Sequence, residues 1–235
     1  MDGVTPEELD EWLARGWRHF GPVYFRPACE KCASCISLRS NVHDFRPSKS
    51  QRRAARQAEN LTRTLGVPVV DDERIALYNK WHAHRTQTRG WEPSPISEER
   101  YAMEFAFPNA ATREIAFRQR DTERLVGLSI TDVTPSALSA VYFYWDPIEA
   151  PPSLGIAHIL TLIDAAKRSK RPWVYLGYRV AGCASLAYKG RFEPHELLEG
   201  RPSLRELPTW NHGQPARDSQ TLLPQVPTLI TRTPQ

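Results

Sequence analysis

The chain has little with which to staple itself together or anchor itself. Four cysteines occur in 235 residues, three of them between Cys29 and Cys35. That is too few, and too clustered, for the disulfide framework of a secreted scaffold. No apolar run approaches the ~20 residues a bilayer helix needs. The acidic opening MDGVTPEELDEWLARG lacks the basic flank, apolar centre and small-residue cleavage site of a secretory signal. A cytoplasmic protein with no membrane partner is expected. Excess charge is also small: 31 Lys and Arg oppose 27 Asp and Glu, a formal net charge of +4. An anionic partner is therefore implied only where the cations concentrate. With 40% hydrophobic and 25% charged residues the composition is that of an ordinary globular protein, with room for one large domain or two small ones.

Residues 5 to 16 have helical spacing (Leu9, Trp12, Leu13) that stops at Gly16, and Trp17 to Arg26 alternates as a strand or hairpin. LRSNVHDF reads as an extended segment. Ser48 can cap a helix from Lys49 to about Leu65, closed by Gly66 and Pro68. Helices are also expected at about Asp71 to Arg85 and Ser97 to Phe107, the latter stacking Tyr101 on Phe105. REIAFRQ, ERLVGLSITDVT and ALSAVYFYW then read as three successive strands. An amphipathic helix opens at Ser153, and the apolar strand WVYLGY follows. Helix then strand after a three-stranded meander is an α/β (α+β) pattern with a mixed, largely antiparallel sheet. From Arg201 onward prolines recur at 202, 208, 215, 224, 227 and 234, the pattern of a loose or irregular tail.

Lys49, Arg52, Arg53 and Arg56 fall at i, i+3, i+4 and i+7 on one helical face. Four like charges so placed repel unless a polyanion offsets them, so a phosphate backbone is the functional reading and a solvated basic face the alternative. An offset stripe of Ala54, Ala58, Leu61 and Leu65 can hold the helix to the body. Cys29, Cys32 and Cys35 form C-x2-C-x2-C, a spacing that can converge on zinc or an iron–sulfur cluster. The fourth ligand would be His43, Cys183 or a residue from elsewhere. Reduced thiols of a tight turn are the alternative. PPSLG places Ser153 and free N–H groups at a helix start, where an anion can bind or Ser153 simply caps. Tyr142 and Tyr144 share a strand face opposite Val141, Phe143 and Trp145. Gly177 and Gly182 bracket a turn that needs unusual backbone angles. Cys183 reads as a packed thiol rather than a nucleophile.

The blocks YFRPACEKCASCISLRSNVHDFRPSKSQRR and SAVYFYWDP, SLG, YLGYRVAGC, AYKGRFEPHELL, in that order, resemble the bacterial aminoacyl-tRNA-protein transferases, arginyltransferase and aspartate/glutamate leucyltransferase. The resemblance covers about Gly16 to Leu198. Trp145, Gly190 and Glu193 depart from the residues usual in its motifs. It implies a GNAT-like acyltransferase part at 67–200, a smaller cysteine-bearing region at 1–66 and a Pro-rich tail at 201–235. The implied activity moves Leu or Arg from an aminoacyl-tRNA to an acceptor protein beginning with Asp or Glu, marking it for N-degron degradation.

An aminoacyl ester is already activated, so no cofactor is required, and the task is positioning and proton removal. On this reading Arg179 first, then Lys189 and Arg191, would grip the acidic side chain. Lys189 and Arg191 as plain surface charge is the alternative. Tyr178 or Tyr144 would relay a proton or orient the ester, Ser153 would mark the oxyanion-stabilising helix start, and Lys49, Arg52, Arg53 and Arg56 would hold the tRNA. An acetyl-CoA-dependent GNAT enzyme and a non-catalytic nucleic-acid or metal-binding module are the competing readings.

Overall fold

Three strands rich in β-branched and aromatic residues form the centre of the structure: β5 (Thr112–Gln119), β6 (Leu125–Val133) and β7 (Ala137–Trp145), paired antiparallel in order. All but the last residue of β6 are buried, because helices cover both faces of the sheet. The computed structural model describes residues 3–213. Around the meander, an eight-stranded sheet runs β10-β9-β3-β8-β7-β6-β5-β4, adding β3 (Ile36–Asn41), β4 (Leu61–Gly66), β8 (Trp173–Arg179), β9 (His195–Leu198) and β10 (Trp210–His212). Strands from both sides of residue 66 thus share one sheet. Only β7 and β8 run parallel, joined by the crossover helix α5 (Leu154–Arg168).

On one face, α5 and α2 (Lys49–Gln57) cover Leu38, Phe117, Val126, Leu138, Val174 and Leu176. On the other, α3 (Asp72–Arg89) and α4 (Glu98–Phe105) bury Leu77, Tyr78, Trp81, Tyr101 and Phe105 against Leu128, Ile130 and Tyr144. There α1 (Pro6–Ala14) sets Leu9 and Leu13 on Tyr175. A two-stranded hairpin, β1 (Arg18–Phe20) and β2 (Val23–Phe25), is tied to this face where His19 meets Asp132.

The helix expected from Lys49 to Leu65 ends at Gln57, and 61–66 is the edge strand β4, paired with β5. Thr62 and Thr64 suit a strand, and pairing satisfies the backbone groups along the open side of β5. Ala54, Ala58 and Leu61 are buried as expected, whereas Leu65, now on a strand, is 65% exposed. The Pro-rich region begins in packed form: Trp210 donates from Nε1 to the Ala14 carbonyl (3.1 Å) and its ring lies 5.8 Å from that of Tyr175. The expectations for 214–235 lie outside the described residues.

Candidate active site

β7 and β8 pair only over Ala137–Ser139 and Trp173–Tyr175, then part: β7 continues along β6 to Trp145 and β8 along β3 to Arg179. Both strands carry an irregularity at the parting. In β7, Ile130 faces Tyr142 while Thr131 faces Ala140, leaving Val141 as an extra residue. Leu138 and Ala140 therefore pack toward α5, but Tyr142 and Tyr144 turn to the α3/α4 face, and Val141 joins them there rather than opposing them. In β8, Ser37 faces Tyr178 and Arg39 faces Tyr175, so three steps oppose two. Gly177, at φ +78°, absorbs the extra residue. Tyr178 thereby shares a face with Tyr175, and the Arg18 guanidinium lies over both rings, 5.2 Å from the Tyr175 centroid and 5.5 Å from that of Tyr178. The two strands thus splay apart beyond their short parallel pairing.

The expected site residues divide into separate groups. Tyr144 belongs to the core: it is fully buried, its hydroxyl is 2.6 Å from that of Tyr101, and burial first raises its pKa well above the ordinary phenol value. Tyr178 donates its hydroxyl to the Gly16 carbonyl (2.8 Å), and burial pushes it up to about 12, so it holds its proton. Ser153 is exposed, at φ 61°, and makes no side-chain cap, while its carbonyl accepts from the N–H groups of Ile156 and Ala157. Helix α5 therefore begins without a side-chain cap.

Lys189 stands in a 3-10 turn, Tyr188–Arg191, and donates from Nζ to the Tyr178 carbonyl (3.3 Å). Burial first, then the charge of Arg18, lowers it to about 8. Arg179 turns elsewhere: after burial, its charge is what lowers the pKa of His195, and its buried Nε has no partner. The backbone carbonyl of Arg191 accepts from Gln51 Nε2 of α2 (3.0 Å). Of the three candidate cations for the acidic side chain, Lys189 is the one bonded to Tyr178. Lys49, Arg52, Arg53 and Arg56 are all exposed on α2, and the helix is capped by a reciprocal Ser48–Gln51 box. Beside it, a groove of about 470 Å³ between α2 and α5 is rimmed by Arg52, Arg63, Lys167 and Arg168, the last paired with Asp164.

Cys29, Cys32 and Cys35 lie on the loop before β3, whose carbonyls at Cys29 and Cys32 accept from Arg201. Burial first, then Cys32, Cys29 and, more weakly, Cys183, raises the Cys35 pKa. All four thiols are free, and among the described residues no group of three or more His, Cys, Asp or Glu side chains is arranged to hold a metal ion. These thiols do not form a ligand set as they stand.

Other parts of the site have no simple sequence signature. His82 Nε2 is 2.9 Å from the Tyr142 hydroxyl, and its ring stacks 4.1 Å from Tyr78. Burial first, then Arg100, lowers the His82 pKa, so the imidazole is neutral near pH 7. Arg85 lies between Trp81 and Trp145, 4.9 and 5.1 Å from their ring centroids, and its charge reaches Tyr188. The run WHAHR on α3 places Trp81 and Arg85 one turn apart, which is the only linear hint of this cluster.

Profiles of known families match the chain twice: residues 2–53 fit "Arginine-tRNA-protein transferase, N terminus" and residues 73–199 fit "Arginine-tRNA-protein transferase, C terminus". The chain belongs to this family. It is accordingly an aminoacyltransferase that uses aminoacyl-tRNA. An aspartate/glutamate leucyltransferase of Helicobacter hepaticus is 34% identical over 210 residues, 89% of this chain and 87% of its own length. One from Ruegeria pomeroyi is 36% identical over 85% of this chain and 73% of its own. Among solved structures, L-PGS from Bacillus licheniformis aligns with TM-score 0.47 at 12% identity, covering 77% of this chain and 52% of that one. No helix among the described residues is long and apolar enough to cross a membrane.

Proposed function

We propose that this transferase moves leucine from leucyl-tRNA to the α-amine of proteins that begin with Asp or Glu, and so feeds N-degron degradation. The observation that carries the reading is the near full-length similarity to relatives named aspartate/glutamate leucyltransferase. In the reaction the amine nitrogen attacks the ester carbonyl carbon, the amide forms, the bond to the terminal ribose oxygen breaks, and that oxygen leaves with the proton the amine gives up. The opening between β7 and β8 is where the two substrates meet. The first-turn N–H groups of α5 stabilise the developing oxyanion. Tyr142, whose hydroxyl lies 2.9 Å from His82 Nε2, takes the amine's proton as it gives its own to the leaving oxygen, so the phenol ends the step protonated as it began.

The tRNA backbone lies along Lys49, Arg52, Arg53 and Arg56, with Arg63, Lys167 and Arg168 continuing the positive surface across the groove. Arginine is the alternative donor. The deciding experiment offers leucyl-tRNA and arginyl-tRNA side by side with peptides led by Asp, Glu or Ala. Leucine on the acidic peptides only is the expected result. Arginine there instead would change the donor, and consumption of acetyl-CoA with no tRNA-dependent labelling would replace the reading altogether.

A further inference from the structure

Most well-buried cations of this protein face a carboxylate. Arg74 is paired with Glu114 and Asp71, Arg39 with Glu196 at 2.7 Å, and His19 with Asp132 at 2.9 Å. Arg18, Lys189, Arg85 and Arg179 make no such pair among the described residues, and of these Arg18 and Lys189 come together on one residue. Arg18 is 6% exposed, donates only to the Leu13 and Trp17 carbonyls and the Ser37 hydroxyl, and leaves its Nε without a partner. Half-buried Lys189 has the Tyr178 carbonyl as its recorded hydrogen-bond partner. Neither makes an ion pair among the described residues. Asp132 bonds His19 and Thr112 through Oδ1 and leaves its buried Oδ2 without a hydrogen-bond partner, and it reaches Arg18 as a charge that makes no ion pair with it. The two cations meet on one residue, Arg18 over the ring of Tyr178 and Lys189 on its carbonyl, and the charge of Arg18 lowers the Lys189 pKa after burial does. The nearby Cys35 thiol supplies no counter-charge, since burial and its neighbouring thiols keep it protonated.

Holding two like charges out of water without an anion is costly, and a carboxylate arriving between them would remove that cost. The glycine at 177 leaves room for it: a Cβ there would sit 3.2 Å from Lys189 Nζ. We propose that Lys189, backed by Arg18, binds the side-chain carboxylate of the acceptor's first residue, with the peptide entering beside Tyr178 at the end of β8. The proposal rests on the reading that acceptors begin with Asp or Glu, and it adds Arg18, a residue outside the sequence candidates, in place of Arg179. Half-buried Lys189 makes the contact, while buried Arg18 supplies field.

The test measures binding, without charged tRNA, of peptides differing only in a first residue of Asp, Glu, Asn or Gln to the full chain and to Lys189→Met and Lys189→Arg. The full chain should bind the acidic peptides roughly 10- to 100-fold more tightly than their amides, the range of a charge-assisted hydrogen bond. Lys189→Met should bind all four alike, and Lys189→Arg should keep most of the preference. Ligand-free Lys189→Met should unfold at or above the temperature of the parent, because an unpaired cation has left the interior. A parent that does not prefer the acids, or a Lys189→Met protein that still does, overturns the proposal. So does a Lys189→Met protein that unfolds earlier and loses all four peptides equally, which marks the lysine as structural. Binding preference without leucine transfer would refute the proposed function and leave the pocket standing. Transfer without the preference would do the reverse.

Discussion

Replacing Asp132 with Asn removes the ion pair that ties His19 of the β1–β2 hairpin to the sheet. His19 places Nδ1 3.0 Å from the Gly21 carbonyl and Nε2 2.9 Å from the Asp132 carboxylate. Both partners can only accept, so both ring nitrogens must donate and the folded-state ring is an imidazolium. Burial alone would lower its pKa, but the charge of Asp132 and the bonds to Asp132 and Gly21 outweigh it and the value is raised. The side chains are 3% and 1% exposed, so water screens the pair little, and removing one member should cost about 3–5 kcal/mol. The sign of the pH dependence follows from the raised value. The stability the imidazolium adds is complete below the ordinary histidine pKa of about 6.5 and is lost as pH rises through the raised folded value. Urea unfolding of the parent and Asp132→Asn at pH 6 and pH 9 measures both effects. The stability gap between them should be widest at pH 6 and shrink at pH 9. A gap below about 1 kcal/mol at pH 6, the size of one neutral hydrogen bond, or a gap that widens with pH, would refute the imidazolium assignment.

Three further outcomes follow from the same geometry. Reversing Arg52 and Arg53 to Glu should weaken tRNA binding and lower the slope of log affinity against log salt by about 2, and an unchanged slope would return α2 to a solvated face. Tyr178→Phe loses the bond to Gly16 and about 1 kcal/mol of stability, yet should keep leucine transfer within about threefold. A loss of a hundredfold or more in kcat would give the phenol the proton-relay role after all. Gly177→Ala forces a side chain into φ +78° against Lys189 and should cost about 1–2 kcal/mol in chemical denaturation while weakening binding of acidic peptides. Unaltered stability would mean the strand bulge relaxes.

Most elements were legible because each rests on local pattern. Ser48, Asp71 and Ser97 cap their helices as their chemistry suggests, and the alternation of residues 112–145 gave the three antiparallel strands. The 49–65 helix was overextended because Leu61 and Leu65 continue its apolar stripe, while the need to pair the edge of β5 is a tertiary demand with no local trace. The site was legible in composition but not in assembly. Tyr178, Arg179 and Lys189 are near one another in the chain, yet bulges in β7 and β8 turn Tyr144 into the core and Tyr178 to Gly16, while Lys189 reaches Tyr178 from its own turn and Arg179 lies toward His195.

What the chain of residues determined unaided was its family, its α/β order and the cationic face of α2, since motif order, hydrophobic period and i, i+3, i+4 spacing are all properties of neighbouring positions. What only folding decided was which charges meet. Arg18 and Lys189 stand 171 positions apart and come to Tyr178 because β3, which Arg18 meets at Ser37, pairs with β8 from far along the chain. A bulge shifts every later side chain to the opposite face, and a single glycine does not announce in sequence that it holds one.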